Sequence, residues 1–432
     1  QEAYDMKTTN PDGVLFLDVR NQAEIHYIGM ATSVDANIPY RFDSTTWKMK
    51  KDGVHGTFVK PKNPDFVPAV ERVLEARGLS KESPVIIMCT SGSRAPFAAE
   101  LLFEAGFKEV YTQIEGFEGI KAKSGPNEGK RLFNGWKNAD LPWSYDLLPE
   151  PAQTLLAAMA VFAGGAGLEQ ISAVAGPELG NEPLQGLETL VEHSLVVRSE
   201  AAGDVRFRML EVVRQFAERK LAVSGRMAET AERHARAYAR LSAAAEPNLT
   251  GSGASEWLSK LSADHDNLRK AQQWAVEHDE IDMAFEMAAS LWRFYHMRGL
   301  LFSAGGLLQN LLLIEGASIA SRAKALEAAG GVAYWSGDME SAREFYEEAL
   351  GLFRILGEPG PIAYALYNLA FARNYEGDAA RARALFGEAH AMFADLGDEA
   401  GMAAARWGRG DAWAASGELV EARHCFDESV AA

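Results

Sequence analysis

Short apolar runs alternate with helical patterns over the first third of the chain. Residues 14–19 and 85–88 are brief β-forming stretches that each follow a proline-containing turn sequence, so they predict buried strands. Residues 68–77 and 95–105 carry apolar positions at helical spacing, and a third strand is expected at 109–113. Strands that alternate with helices favour an α/β domain, in which a parallel sheet has helices on both faces.

The hydrophobic pattern changes near residue 150, beyond which it is almost entirely helical. The exception begins at 187–194, where a helical pattern leads into two strands, 195–198 and 205–210, joined by a polar turn at 200–204. A small hairpin that follows helices is typical of a winged-helix arrangement. We therefore expect an all-α region in which this hairpin marks a winged-helix-like domain.

A glycine followed by an acidic residue recurs every 40 residues, at Gly337, Gly377 and Gly417, and each pair is followed by Ala-Arg and then by an aromatic residue. Self-similarity at such a period indicates stacked helix pairs in a solenoid, similar to tetratricopeptide (TPR) repeats but longer than their roughly 34 residues. The array stops at Ala432 inside the third unit, so we expect an incomplete solenoid and a chain that is a fragment or a fusion. The predicted domains are 1–149, 150–222 and 223–432.

Charge divides the chain at the same place. Residues 1–149 hold 12 Lys and 6 Arg against 20 acidic residues, a net charge of −2, and the remaining residues carry −15 of the total of −17. Binding to nucleic acid or to membrane phosphates relies on Lys and Arg. We therefore expect neither nucleic acid nor a membrane as a partner. The apolar run at 155–168 is also too short to span a bilayer.

The chain has two cysteines, Cys89 and Cys425, which lie in different predicted domains, so no disulfide framework is expected. No pattern indicates a metal site or a cofactor. The chain begins with Gln1 rather than methionine, so we expect that it was processed or that its beginning is missing. The predicted location is cytoplasmic, or periplasmic if a signal peptide was removed.

Cys89 stands directly after the strand predicted at 85–88 and shortly before a helix. Ligands collect at the carboxyl ends of parallel strands, and the free N–H groups of a helix N-terminus bind anions. Those groups, the helix dipole and the guanidinium of Arg94 would stabilise a thiolate. We interpret Cys89 and Arg94 as catalytic and the residues between them as a substrate-binding loop: Thr90, Ser91, Gly92 and Ser93. The alternative is a cysteine that only packs, which is our expectation for Cys425.

Five segments, in the right order, resemble single-domain rhodaneses over about residues 3–147. They are Phe16-Leu-Asp-Val-Arg20, Ala36-Asn-Ile-Pro39, residues 85–94, Ile114-Glu-Gly-Phe-Glu-Gly119 and Asn134-Gly-Trp136. The resemblance implies a rhodanese-like fold and a thiosulfate-type sulfurtransferase. Such an enzyme takes sulfur from a small sulfur-containing anion and passes it to a thiol or to cyanide.

In this family the cysteine carries the sulfur as a persulfide, so the resemblance assigns that role to Cys89 and the wrapping of the sulfur to residues 90–94. It also favours sulfur over phosphate, because related phosphatases have one residue more between cysteine and arginine. A phosphatase or an arsenate reductase is the disfavoured alternative. We interpret Asp18 and Arg20, at the end of the first strand, as structural residues that support the loop by hydrogen bonds.

Residues 152–432 resemble the C-terminal half of bacterial multidomain signal-transduction (STAND, LuxR-type) transcriptional-regulator ATPases. The segments that carry the resemblance are Ala160-Val-Phe-Ala-Gly-Gly165, residues 208–216, His265-Asp-Asn-Leu-Arg269 and Leu291-Trp-Arg-Phe294. No P-loop precedes them, so ATP hydrolysis is not predicted. In that family the repeats sense a ligand or a partner, which implies a protein partner on the helical repeats here.

Two functions follow from these observations. The leading hypothesis is a sulfurtransferase whose helical extension binds a protein. The alternative is a non-enzymatic TPR scaffold or signalling protein with a regulatory rhodanese module. The intact pair of Cys89 and Arg94 favours the enzyme.

Overall fold

The computed structural model describes residues 1–50, 56–125, 128–131, 133–176, 179, 183–201, 203–251 and 253–431. The chain divides into two compact units, Gln1–Thr230 and Ala231–Ala432. No helix in the described ranges combines the length and the apolar character that a membrane span requires.

The first unit begins with a parallel sheet. Its strands and those of a small hairpin are β1 (Leu15–Asp18), β2 (Ala36–Asn37), β3 (Trp47–Met49), β4 (Gly56–Phe58), β5 (Val85–Met88) and β6 (Val110–Thr112). The sheet has the order β2-β1-β5-β6 with every pair parallel, while β3 and β4 pair antiparallel. The predicted parallel sheet is confirmed. The hairpin of β3 and β4 was not predicted.

Helices cover both faces of this sheet: α1 (Glu2–Thr9), α2 (Gln22–Ile28), α3 (Phe66–Ala76) and α4 (Ala95–Glu104). On one face, alternate residues of β1 and β5 share a core with Val70 and Leu74 of α3 and with Leu102 of α4. On the other face, the Phe16 ring lies 5.3 Å from that of Trp136, which in turn contacts Tyr4 of α1 at 5.8 Å. The strand alternation thus builds two apolar layers.

The winged-helix part of this unit contains α5 (Glu150–Ala158), α6 (Leu168–Ala175), α7 (Pro183–Glu192) and α8 (Glu211–Val223). Its strands β7 (Ala166–Gly167), β8 (Val197–Ala201) and β9 (Asp204–Arg208) form an antiparallel sheet of order β7-β9-β8. The hairpin after the helix is confirmed, with its strands shifted by one to three residues. Sequence reasoning missed β7, whose two residues carry no pattern of their own.

The second unit is helical throughout its described residues. Its helices are α9 (Met227–Ala245), which begins in the first unit, α10 (Ala254–Ala263), α11 (His265–Glu277), α12 (Ile281–Met297), α13 (Leu301–Leu312), α14 (Ile319–Trp335), α15 (Met339–Leu356), α16 (Pro359–Tyr375), α17 (Ala379–Leu396), α18 (Glu399–Ala415) and α19 (Leu419–Ala431). The pairs from α14 onward start 40 residues apart, which confirms the repeat. They make this region a TPR-like solenoid.

Close approach inside each helix pair explains the small residues in the repeat. A Cβ atom added to Gly330 of α14 would lie 2.5 Å from the ring of Tyr346 on α15. In the third pair, the same addition at Gly410 would lie 2.8 Å from Phe426. The aromatic ring of the second helix therefore fills the space left by the missing side chain of the first.

Candidate active site around Cys89

Cys89 directly follows β5, and the whole residue is buried. Its sulfur accepts a hydrogen bond from the backbone N–H of Arg94, with the nitrogen 3.3 Å from Sγ. Helix α4 starts one residue later, with a proline in its first turn. The loop thus closes over the sulfur, and the positive end of the helix dipole lies beside it.

Backbone hydrogen bonds fix the beginning of the loop. The N–H of Phe117 donates to the carbonyl of Cys89 at 2.7 Å, and the N–H of Glu118 donates to the carbonyl of Thr90 at 2.9 Å. The segment after β6 therefore continues the pairing of β5 beyond the end of the sheet. This arrangement holds the main chain of the nucleophile in one position.

Two glycines permit this close contact. Gly92 has φ +81°, and a Cβ atom added to it would lie 1.6 Å from the carbonyl oxygen of Ile114. Gly116 has φ +68°, and its added Cβ would lie 2.3 Å from the nitrogen of Ser91. Any side chain at either position would force the loop and the facing segment apart.

The guanidinium of Arg94 forms a bidentate ion pair with Glu24 of α2. Nη1 donates to Oε2 at 2.7 Å and Nη2 donates to Oε1 at 2.5 Å. The hydroxyl of Thr90 joins the pair, since it donates to Glu24 and accepts from Arg94. The backbone of Arg94 therefore contacts the sulfur, while its side chain ties the loop to α2. The expectation from the sequence that the guanidinium also stabilises a Cys89 thiolate stays a prediction.

The charge of Glu24 is strongly stabilised in this cluster. Burial alone would raise the pKa of its carboxyl, but the hydrogen bonds and charge of Arg94, with bonds from Thr90 and the Asn21 backbone, lower the pKa from 4.5 to about 2. Burial lowers the pKa of the Arg94 guanidinium, but the hydrogen bond and the charge of Glu24 raise this pKa by more. The charges of Cys89 and Asp18 raise it further, by smaller amounts. Both partners are charged over the whole physiological range.

Sequence reasoning missed Glu24. A signal was present, because Asn21 and Glu24 have the spacing of a capping box. In the structure the Asn21 side chain accepts from the Glu24 N–H at 2.9 Å, and the Glu24 carboxylate accepts from the Asn21 N–H at 3.1 Å. One carboxylate thus caps its own helix and also anchors the loop that carries the nucleophile.

Asp18 and Arg20 form a fully buried ion pair behind the loop. The guanidinium donates to Asp18 at 2.7 Å and to the carbonyl of Gly29 at 2.7 Å. It also lies 4.0 Å from the centre of the Phe117 ring. The pair therefore acts on the loop through Phe117, whose N–H holds Cys89, and not by a direct bond to Cys89.

The remaining candidates differ in exposure. Thr90, Ser91 and Gly92 are half-buried and Ser93 is exposed, so the loop presents its polar side to solvent.

Cys425 lies on α19 in the second unit, where burial raises the pKa of its thiol. Within the described ranges, His, Cys, Asp and Glu side chains form no group of three that could hold a metal ion.

Two protein families match parts of the chain. Residues 1–123 match the family described as a rhodanese-like domain, and residues 148–222 match the family described as a winged helix-turn-helix domain. The chain therefore carries a rhodanese-like domain at its N-terminus, followed by a winged helix-turn-helix domain and a TPR-like helical region. Both resemblances noted in the sequence are confirmed at this level.

Among curated proteins, a provisionally named HTH-type transcriptional regulator of Mycobacterium tuberculosis is 33% identical over 240 residues, which is 53% of this chain and 27% of that protein. An uncharacterised protein of Rickettsia conorii is 28% identical over 144 residues, 33% of this chain and 93% of its own length. This chain thus spans about a quarter of its mycobacterial relative.

Among solved structures, BtubC from P. vanneervenii aligns with a TM-score of 0.38 and 22% identity over 49% of this chain and 89% of its own. A STAND protein with a tetratricopeptide repeat sensor from Pyrococcus horikoshii aligns with a TM-score of 0.33 and 13% identity over 85% of this chain and 70% of its own. Scores of this size do not establish a shared overall fold.

Proposed function

We propose that the rhodanese-like domain is a sulfurtransferase that carries sulfane sulfur as a persulfide on Cys89. The observation that supports this most directly is the position of Sγ, which lies at the carboxyl end of β5 under the N–H of Arg94. The loop has four residues between Cys89 and Arg94, as in the rhodaneses that the sequence resembles. The hydrogen bond to Sγ comes from a backbone N–H, which needs no proton transfer to stabilise an anion.

The first half-reaction would be a displacement at sulfur. The Cys89 thiolate attacks the outer sulfur of thiosulfate, an S–S bond forms to Sγ, and the bond from that outer sulfur to the sulfonate sulfur breaks. Sulfite leaves with the electron pair. Because Cys89 is buried, the half-buried loop residues must admit the donor before this step.

The second half-reaction returns the enzyme to its starting state. Cyanide or a thiolate attacks the outer sulfur of the persulfide, the new bond forms to the acceptor, and the bond to Sγ breaks. The Cys89 thiolate is released with the electron pair, and thiocyanate or an acceptor persulfide leaves. The helix dipole of α4 and the N–H of Arg94 stabilise the negative charge in both steps.

A thiocyanate assay tests the proposal. The full chain is incubated with thiosulfate and cyanide, and thiocyanate is measured for the wild type, Cys89→Ser and Cys425→Ser. Cys425 is the matched control because it is the other cysteine of the chain. We expect the wild type and Cys425→Ser to turn over equally and Cys89→Ser to be inactive. Equal rates from all three proteins, or no thiocyanate from the wild type, would refute the proposal that this protein is a sulfurtransferase.

A second candidate function is regulation, favoured by the winged helix-turn-helix domain and by the names of the mycobacterial relatives. In this proposal the rhodanese-like domain is a regulatory module and the TPR-like repeats bind a protein partner. DNA binding by the winged helix is disfavoured, because α7 carries Glu188 and Glu192 and contains no Lys or Arg between Pro183 and Glu192. Helix α7 is the last helix before the hairpin of β8 and β9, which is where a winged helix has its recognition helix. A recognition helix of this charge would repel phosphate.

Fluorescence anisotropy with a labelled random-sequence duplex at low salt separates these ideas. We expect no rise in anisotropy at micromolar protein. Saturable binding that weakens with salt would overturn the expectation that the winged helix does not bind DNA. We also propose a cytoplasmic location, in line with two unpaired cysteines in the chain.

A further inference from the structure

A cavity of about 560 Å³ opens in the second unit between α11, α12 and α13. Three turns of α11 form one wall with His265, Arg269 and Lys270. The facing wall is formed by Leu300 and by Leu307 of α13, and Tyr295 near the end of α12 contributes between them. The volume lies within the roughly 300–1,000 Å³ that small-molecule sites occupy.

The charge of this cavity is opposite to that of its surroundings. Residues 150–432 carry a net charge of −15. The cavity, in contrast, is lined by the basic residues Arg269 and Lys270 and by His265. Asp266 is the acidic residue of the described lining. Within the described residues, the guanidinium of Arg269 forms no ion pair with a carboxylate. A basic cavity in an acidic protein attracts anions selectively.

Tyr295 adds a hydrogen-bond donor. The residue is 5% exposed, and its hydroxyl has no hydrogen-bond partner in the described part of the chain. Burial raises the pKa of this hydroxyl, although the charge of Arg269 opposes the effect. The hydroxyl therefore stays protonated, and because Tyr295 lines the cavity it can donate a hydrogen bond to a ligand oxygen.

The opposite wall determines the rest of the ligand. Leu300 directly precedes α13, and Ser303 and Leu307 follow it at the spacing of one helix face. This apolar wall faces the basic residues of α11 across the cavity. A ligand that satisfies both walls has a charged head and an apolar body.

We propose that this cavity binds a small amphiphilic anion, whose carboxylate or phosphate head is held by Arg269, Lys270 and Tyr295 and whose apolar body packs on Leu300 and Leu307. The site lies in the TPR-like region and is independent of the sulfur chemistry at Cys89. Its ligand is recognised by charge and by apolar contact together.

Isothermal titration calorimetry of the full chain tests the site with three probes of one chain length: octanoate, octyl phosphate and the neutral 1-octanol. We expect saturable binding of at least one anion and about tenfold or weaker binding of octanol. Arg269→Gln should weaken anion binding by about ten- to a hundredfold, because it removes a charge-assisted donor. Arg423→Gln is the matched control, since Arg423 is exposed on α19 and pairs only with Asp427 among the described residues.

Binding in Arg269→Gln that equals that of Arg423→Gln would overturn the proposal. So would octanol binding as tight as that of the anions, or the absence of saturable binding by either anion at millimolar concentration. Melting curves of both variants should match the wild type, because each side chain is on the surface of its helix. If Arg269→Gln melts lower, Lys270→Gln provides the same comparison at the adjacent residue.

Discussion

Replacement of Glu24 by glutamine removes one negative charge from the cluster that anchors the loop of Cys89 and leaves the size of the side chain unchanged. In the wild type this carboxylate accepts two bonds from Arg94 and one from Thr90. The difference between a pKa of 4.5 and one of about 2 corresponds to at most about 3 kcal/mol in favour of the folded state. We expect Glu24→Gln to lose up to this amount at pH 7.

The pH dependence fixes the sign of the effect. The folded pKa of Glu24 lies below the unfolded one, so its stabilisation is complete above about pH 4.5 and is lost as the pH falls through 2. The difference between Glu24→Gln and the wild type should therefore shrink over that range. The loss of anchoring should also slow sulfur transfer by Cys89 at neutral pH.

Hydrogen exchange, read by mass spectrometry over peptides that cover residues 85–104, measures the local opening free energy of the loop and of α4. The matched control is Glu71→Gln, which breaks an exposed ion pair with Lys81 in the same domain. An exposed pair contributes about 0–1 kcal/mol. Our reasoning is wrong if Glu24→Gln opens no more readily than Glu71→Gln at pH 7, or if its deficit is unchanged near pH 2.

Three further substitutions have clear expectations. Gly92→Ala should abolish thiocyanate formation and lower the melting temperature, because the added Cβ would overlap a backbone carbonyl. The control Gly78→Ala should keep full activity, because Gly78 has a similar φ of +70° but open space around it. Asp18→Asn should cost about 3–5 kcal/mol in urea unfolding, because it leaves a fully buried guanidinium without its carboxylate. Glu327→Gln should stabilise the second unit at pH 8 by at most about 3 kcal/mol and have little effect below pH 4.5 in thermal melts. Burial raises the pKa of Glu327 from 4.5 to about 7, so the wild type loses stability as the pH rises through that range.

The parts of this protein that sequence could predict are those with local patterns. The strand at 85–88, the loop from Cys89 to Arg94 and the 40-residue repeat each carry their signal within a short segment. The two-residue β7 did not, because so short an element takes its conformation from what packs on it. The predictions therefore gave the correct order of domains without every element.

The side-chain contacts of the site could not be predicted in the same way. Glu24 lies 70 residues before Arg94 in the chain, and only the fold brings the two together. The capping-box spacing of Asn21 and Glu24 indicated a helix start and gave no information about the loop. The cavity lined by Arg269 and Tyr295 draws on three helices, so no single segment reveals it.

An intact-mass measurement tests, without an acceptor, whether Cys89 holds the transferred sulfur. The full chain is incubated with thiosulfate, freed of small molecules and weighed by mass spectrometry, beside Cys425→Ser and Cys89→Ser. We predict one added sulfur atom in the wild type and in Cys425→Ser, and an unchanged mass for Cys89→Ser. An added sulfur that persists in Cys89→Ser, or that is absent from the wild type, would show that Cys89 is not the sulfur carrier.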